Sequence, residues 1–251
     1  MTAPSDGLLF DVTASPTPVV DRLLRLADQY VQHNDAMDRY LIPGKHAEPD
    51  AHAESARALT AGTGAALHAV LAERLYEGPD LSHALLRLRH LAFLSNASTE
   101  QSPQEARRLT ALAPADAVDI ADTVAREIRR RSRGIPIPPV SELVATHRSA
   151  LREIACGHIA VSTALGRQYV HCHTTPLRIS ALRKLESNGL IERAASSTPS
   201  VYAPGGLEDR IRLTAAGTTA LASALGNSPV TRPDAVAAPA PATVSTPTRT
   251  R

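Results

Sequence analysis

A short helix with a marked start and a marked end is the feature that most constrains this chain. Thr174-Thr175-Pro176 combines hydroxyl caps with a proline that suits the first turn of a helix. Gly189 supplies the residue that most readily takes the left-handed conformation at a helix C-terminus. The sequence therefore predicts a helix over 176–188. Its buried side would carry Ile179, Leu182 and Leu185.

The opposite face of this helix is polar and basic. At 100° per residue, the positions away from the apolar stripe carry hydroxyl, arginine and lysine side chains. Arginine and lysine donate to guanine edges or to phosphates, and serine contacts either. This face is therefore a candidate DNA-reading surface. Its candidate residues are Thr175, Ser180, Arg183, Lys184 and Ser187.

Two strands and a closing helix are predicted to follow. One strand starts at 190–193, and a loop rich in Ser, Thr, Pro and Gly leads to the second at 209–214. Because alternate residues of a strand face opposite sides, Arg210 and Arg212 are expected to point outward. They are either ordinary outward residues of an edge strand or contacts of a wing to phosphate or the minor groove. A last helix is predicted over 215–225.

These elements resemble a known family of bacterial regulators. ALRKLESNGLIER at 181–193, followed by RLTAAG at 212–217, is similar to winged helix-turn-helix proteins of the MarR- and PadR-like kind. In them, LxxLExxGLIxR runs from the recognition helix into the first wing strand, and LTxxG closes the wing. The resemblance is limited to about residues 140–225, about 85 of the 251 residues.

The resemblance implies a winged-helix domain over 140–226 that binds double-stranded DNA, with the reading helix in the major groove. The wing and nearby basic residues would contact the phosphate backbone. The arginines that close the preceding helix either interact with its dipole or clamp phosphate. The candidate backbone contacts are Arg193, Arg210, Arg212, Arg130, Arg131 and Arg133.

The segment 158–173 departs from the family pattern. Residues 158–162 and 168–172 alternate around a turn at 165–167, which predicts a hairpin in place of the second helix of the motif. Cysteine and histidine are zinc ligands, but the spacing here is unlike the usual two-residue knuckles. We expect a partly buried hairpin with packed thiols and no metal or other cofactor. The metal candidates considered are Cys156, His158, His171, Cys172 and His173.

The N-terminal half of the chain is predicted to be helical. Apolar residues recur at helical spacing over 18–131, and a Pro-rich connector at 132–139 ends the pattern. Residues 18–133 are therefore predicted to form a bundle of four or five helices that serves dimerisation or binds an effector or partner. The ends, 1–17 and 227–251, are predicted to be disordered. The expected fold is mainly α with a small β wing.

Charge is unevenly distributed along the chain. Residues 1–125 carry 10 basic and 17 acidic side chains, whereas 126–226 carry 14 and 7. A basic segment beside an acidic one is a reason to look for nucleic acid. Aromatic residues make up only 3% of the chain and Trp is absent, which argues against a platform that stacks unpaired bases.

The sequence thus predicts a cytoplasmic, homodimeric DNA-binding protein that regulates transcription. Two other functions stay open. The winged helix could dock protein in a phage, plasmid or partition apparatus, or the bundle could hold an enzyme site. Residues 18–131 show no spaced carboxylate or histidine motif, so we do not expect an enzyme. No apolar run is long enough for a membrane span, and the N-terminus lacks a signal-peptide pattern.

Overall fold

The computed structural model describes residues 18–42, 51–132, 145–164, 167–172, 177–200 and 205–226. These residues are mainly helical with one small four-stranded antiparallel sheet, which confirms the predicted fold class at that level. The helices are α1 Pro18–Tyr40, α2 Ala51–Ala72, α3 Pro79–Ala97, α4 Pro103–Thr110, α5 Ala113–Arg131, α6 Ala145–Ala155, α7 Ile179–Ser187 and α8 Ala215–Ala224. The strands are β1 Ile159–Ala164, β2 Arg167–Cys172, β3 Ile191–Pro199 and β4 Leu207–Leu213. The predicted disordered ends and the connector at 133–139 lie outside the described residues.

Local signals place several helix ends. The Ser102 side chain accepts a hydrogen bond from the backbone N–H of Glu105 and caps α4, as predicted. The predicted start of α7 is wrong, because the helix begins at Ile179 with Arg178 in an extended conformation at its N-cap. The threonines and proline that suggested the earlier start lie outside the described residues.

Helix α1 is the central element of the molecule. It packs against α2, α4 and α5, and it also contacts β3, α6 and α8. Tyr30, in its middle, is completely buried. Its hydroxyl lies 2.8 Å from Thr63 Oγ1 of α2 and 2.7 Å from Ser95 Oγ of α3. Because a buried hydroxyl needs a partner, this network sets how the three helices pack against one another.

The sheet has the strand order β2-β1-β4-β3. Strands β1 and β2 form the predicted hairpin, with Ile159 opposite Cys172, so the alternative of a second helix here is wrong. Strand β4 pairs with both β1 and β3 and is therefore an inner strand. The interpretation of Arg210 and Arg212 as outward residues of an edge strand is wrong for this reason.

One apolar core joins the N-terminal helices to the C-terminal segment. Buried residues from the bundle and from the β-containing segment belong to a single cluster. Members from the first part include Leu23, Tyr30 and Ile120, and members from the second include Leu151, Ile159, Leu182, Ile211 and Leu221. The 145–226 segment therefore buries part of its apolar surface against the bundle.

Ion pairs cross the same junction. Arg210 of β4 donates from Nη2 to Asp35 Oδ1 at 2.6 Å and from Nε to Asp35 Oδ2 at 3.1 Å. Arg212 binds both carboxylate oxygens of Asp28, which lies about two turns before Asp35 on α1. Both arginines face α1 instead of solvent, because α1 covers this side of the sheet. Bidentate geometry makes these pairs stronger than single contacts.

Replacing Arg210 should destabilise the whole fold. The Asp35 side chain is only 7% exposed, so Arg210→Met leaves a buried carboxylate without its cation. We expect a loss of about 3 kcal/mol in the free energy of unfolding, measured by urea denaturation. Arg152→Met is the matched control, because its partner Asp119 is 45% exposed and also pairs with Arg87, and it should cost less than about 1 kcal/mol. Equal losses in the two variants would contradict the junction role of Arg210.

His33 of α1 is a buried histidine held neutral. Its Nδ1 lies 2.9 Å from Ser55 Oγ, and its Nε2 has no hydrogen-bond partner among the described residues. Burial lowers the pKa of His33 to about 4, and the positive charge of His52 and Arg107 acts in the same direction. The unfolded chain takes up this proton near pH 6.5, so His33 favours folding at neutral pH and loses that contribution as the pH falls.

Replacing His33 should reduce the loss of unfolding free energy that accompanies a fall in pH. Between about pH 7 and about pH 4.5, wild type should lose about 2 kcal/mol more unfolding free energy than His33→Asn. Asparagine keeps a donor near Ser55 but does not titrate. His90→Asn, which changes an exposed histidine of α3, should follow the wild-type profile. Parallel profiles for His33→Asn and wild type, from urea titrations at each pH, would show that the ring is not held neutral.

Candidate nucleic-acid interface

Helix α7 is held by its apolar side and by its C-terminal turn. Leu182 and Leu185 are buried in the common core. Gly189 adopts the predicted left-handed conformation, with φ at +66°, and the N–H of Leu190 donates to the carbonyl of Leu185. Thr214, which caps α8, donates its hydroxyl to the carbonyl of Gly189. The end of α7 is thus connected directly to the start of α8.

The predicted reading face of α7 is exposed. Arg183 and Lys184 lie on the solvent side of the helix, with serines one turn before and at its last residue. Thr175 lies outside the described residues. The exposed members of the predicted face are Ser180, Arg183, Lys184 and Ser187. The structure supports their exposure, and their contact with DNA stays a prediction.

Two residues that sequence reasoning missed extend this face. Arg178 is exposed at the N-cap of α7, at the end where recognition helices contact bases. Gln168 of β2 accepts a hydrogen bond from Arg183 Nη2 at 3.3 Å. The basic character of Arg178 was visible in the sequence, but its position just before the helix depends on where α7 begins. The contact of Gln168 depends on how the hairpin packs and has no sequence signal.

A groove of about 630 Å³ separates α7 from α6. One wall carries Arg178, Ser180 and Lys184, and the other carries His147 and Glu153. Arg178 and Lys184 therefore border an open, mainly apolar cleft instead of packing against another element. A surface with this shape leaves the helix accessible to a large partner.

The other predicted backbone contacts are used inside the protein. Arg193 makes two hydrogen bonds to Glu186, at 2.8 and 3.0 Å, and these raise the pKa of Arg193. Arg130 pairs with Glu127, and Arg131 donates to the carbonyl of Glu73. Arg133 lies outside the described residues. Together with Arg210 and Arg212, these side chains have partners within the chain, so the α7 face is the better candidate.

The metal candidates do not converge. His158 Nδ1 lies 2.8 Å from Glu153 Oε2, whereas His171 Nε2 lies 2.7 Å from Ser162 Oγ. Burial raises the pKa of the Cys156 thiol to about 12. Within the part of the chain that the structure describes, no group of three or more potential ligands is arranged to hold a metal ion. His173 lies outside it.

The resemblance of residues 140–225 to winged helices depends on the motif alone. Comparison of the chain with protein-family models, curated proteins and solved structures gives no match. Among the described helices, none has the length and apolarity needed to cross a bilayer.

The close approach of α8 to the backbone that follows α7 can be tested by a stability measurement. A Cβ on Gly217 would lie 1.9 Å from the carbonyl oxygen of Leu190, which is backbone and cannot move aside cheaply. We expect Gly217→Ala to destabilise the protein by about 2 kcal/mol or more. Gly64→Ala in α2 is the control, because nothing lies within 4 Å of its Cβ. Alanine favours a helix interior, so the control should gain about 0.5 kcal/mol. A thermal melt in which Gly217→Ala matches wild type would contradict this packing.

Proposed function

We propose that this chain binds double-stranded DNA through the exposed face of α7, in a winged helix-like arrangement, and acts as a transcriptional regulator. The observation that carries the proposal is the concentration of unpaired cations on α7. Among the described residues of 126–226, five basic side chains have no carboxylate within ion-pair distance and donate to no backbone carbonyl. They are Arg148, Arg167, Arg178, Arg183 and Lys184. Three of the five belong to α7 or its N-cap.

The basic excess of residues 126–226 supports a nucleic-acid partner less strongly once the ion pairs of the structure are considered. Arg152, Arg210 and Arg212 pair with carboxylates of the N-terminal helices, so part of the asymmetry is neutralised at the internal junction. Of the five cations left without a carboxylate partner, the three on α7 and its N-cap face solvent together. Unpaired exposed arginine and lysine release counterions when they meet phosphate, which favours a polyanion as the partner.

The arrangement around α7 fits duplex DNA. A helix is narrow enough to enter the major groove, and the residues near its N-terminus would meet base edges first. Arg183 is held by Gln168, which lowers the entropy it would lose on binding. The β3–β4 hairpin follows α7 directly, as the resemblance to winged helices requires. A homodimer is part of the proposal, because regulators of this kind read paired half-sites.

The test compares two double variants of equal charge. Arg183→Ala/Lys184→Ala should weaken binding to random and genomic duplex DNA by about tenfold or more near 0.1 M salt. It should also lower the slope of log affinity against log salt by roughly two, since two phosphate or base contacts are lost. Binding would be followed by fluorescence anisotropy at two salt concentrations.

The control removes two exposed cations elsewhere. Arg57→Ala/Arg89→Ala changes α2 and α3 and should leave affinity and slope close to those of wild type. If both double variants lose affinity equally, only net charge matters and α7 has no special role. If wild type shows no salt-dependent binding, the proposal is wrong, and docking of protein by the same module becomes the better hypothesis.

A further inference from the structure

A second site lies at the junction between α1 and the sheet. A cavity of about 500 Å³ opens there, within the range of small-molecule sites. Its walls come from α1, the α4–α5 turn, β1, β2 and β4, so both halves of the chain contribute. It is distinct from the α7 face and its groove. The charged lining residues are Asp35, Asp38, Arg107, Glu208 and Arg210, and His158 and His171 also contribute.

Glu208 of β4 is the unusual member of this lining. Its side chain is only 2% exposed. Oε1 accepts a hydrogen bond from Ser200 Oγ at 2.6 Å and lies 3.7 Å from His171 Nε2. Oε2 is buried and has no hydrogen-bond partner in the structure. A buried carboxylate oxygen without a donor is costly, so this position favours a ligand that supplies one.

The other carboxylates of the cavity already have cations. Asp35 is bound by Arg210, and Asp38 accepts from Arg107 Nε at 2.9 Å. Glu208 has no lysine or arginine partner among the described residues. Counting the carboxylates and guanidinium groups alone, the lining therefore carries one more negative group than positive groups. A single positive charge on the ligand balances it.

The mouth of the cavity is apolar. Leu112 is 75% exposed and Leu41 is 47% exposed, and both line the opening. Val31, Ile42 and Pro114 continue this apolar wall. Large aliphatic side chains that border a polar cavity favour a ligand with a hydrocarbon part. A hydrated metal ion does not match this wall.

We propose that the cavity binds a small organic cation, a primary amine with a compact hydrocarbon body. The ammonium group donates to Glu208, and the hydrocarbon part packs against Leu41 and Leu112. Because the walls include the Asp35–Arg210 pair, the ligand contacts both sides of the junction and stabilises the folded protein by mass action. This binding does not require DNA.

The test uses the full chain with benzylamine and cyclohexylamine as probes, and benzyl alcohol and cyclohexanol as neutral partners of similar shape. Isothermal titration calorimetry and thermal shift should show that the amines bind. The affinity for each alcohol should be lower than that for the matching amine by about tenfold or more. Glu208→Gln keeps the shape and removes the charge, so it should weaken amine binding by about tenfold or more. Glu192→Gln, an exposed glutamate of β3, should bind the amines as wild type does.

Leu112→Ala gives an independent variant on an exposed side chain. It should fold as wild type and weaken the amines by about threefold to tenfold, since part of the apolar contact is lost. Equal binding of amines and alcohols, or unchanged amine affinity in Glu208→Gln, would overturn the proposal. So would the absence of heat and thermal shift for wild type at millimolar amine. DNA binding measured on the same samples shows separately whether the α7 face is functional.

Discussion

The pairing of α1 carboxylates with β4 arginines is the interaction on which the rest of the structure depends. Asp28 and Asp35 lie seven residues apart on one face of α1, and Arg210 and Arg212 lie two apart on one face of β4. Two turns of helix rise about 10.5 Å and one strand repeat about 7 Å, a difference that long arginine side chains can span. The two bidentate pairs therefore fix both the position and the direction of the sheet on the bundle.

This junction also decides which charges remain available. Arginines that face α1 are neutralised and partly buried, and Arg193 is neutralised locally by Glu186. On the exposed face of α7, Arg183 and Lys184 have no carboxylate partner among the described residues. The arginines in these internal ion pairs thus stabilise the fold, whereas the exposed cations of α7 are available to contact a polyanion. Desolvation makes the internal pairs costly to disturb, whereas solvent keeps the exposed cations mobile.

The same junction leaves one group unsatisfied. Glu208 follows the strand pattern that places Arg210 against α1, so it also faces the bundle. Arg210 pairs with Asp35 there, but no lysine or arginine of the described residues reaches Glu208. A buried carboxylate oxygen without a donor costs stability. Such a group in a cavity of ligand size indicates a functional site, because it does not help the fold. The α7 face and this cavity lie on different parts of a unit that shares one apolar core.

Much of the local structure was determined by the sequence alone. The helical spacing over 18–131, the alternation over 158–172, the cap at Ser102 and the left-handed Gly189 all reflect interactions within a few residues, and the structure has each of them. The exposed face of α7 followed from helical periodicity. Only the tertiary structure decided that β4 is an inner strand, that its arginines turn to α1, and that Glu208 Oε2 lacks a hydrogen-bond partner among the described residues. Those outcomes depend on pairing between residues more than 170 positions apart or on strand order, which local patterns do not encode.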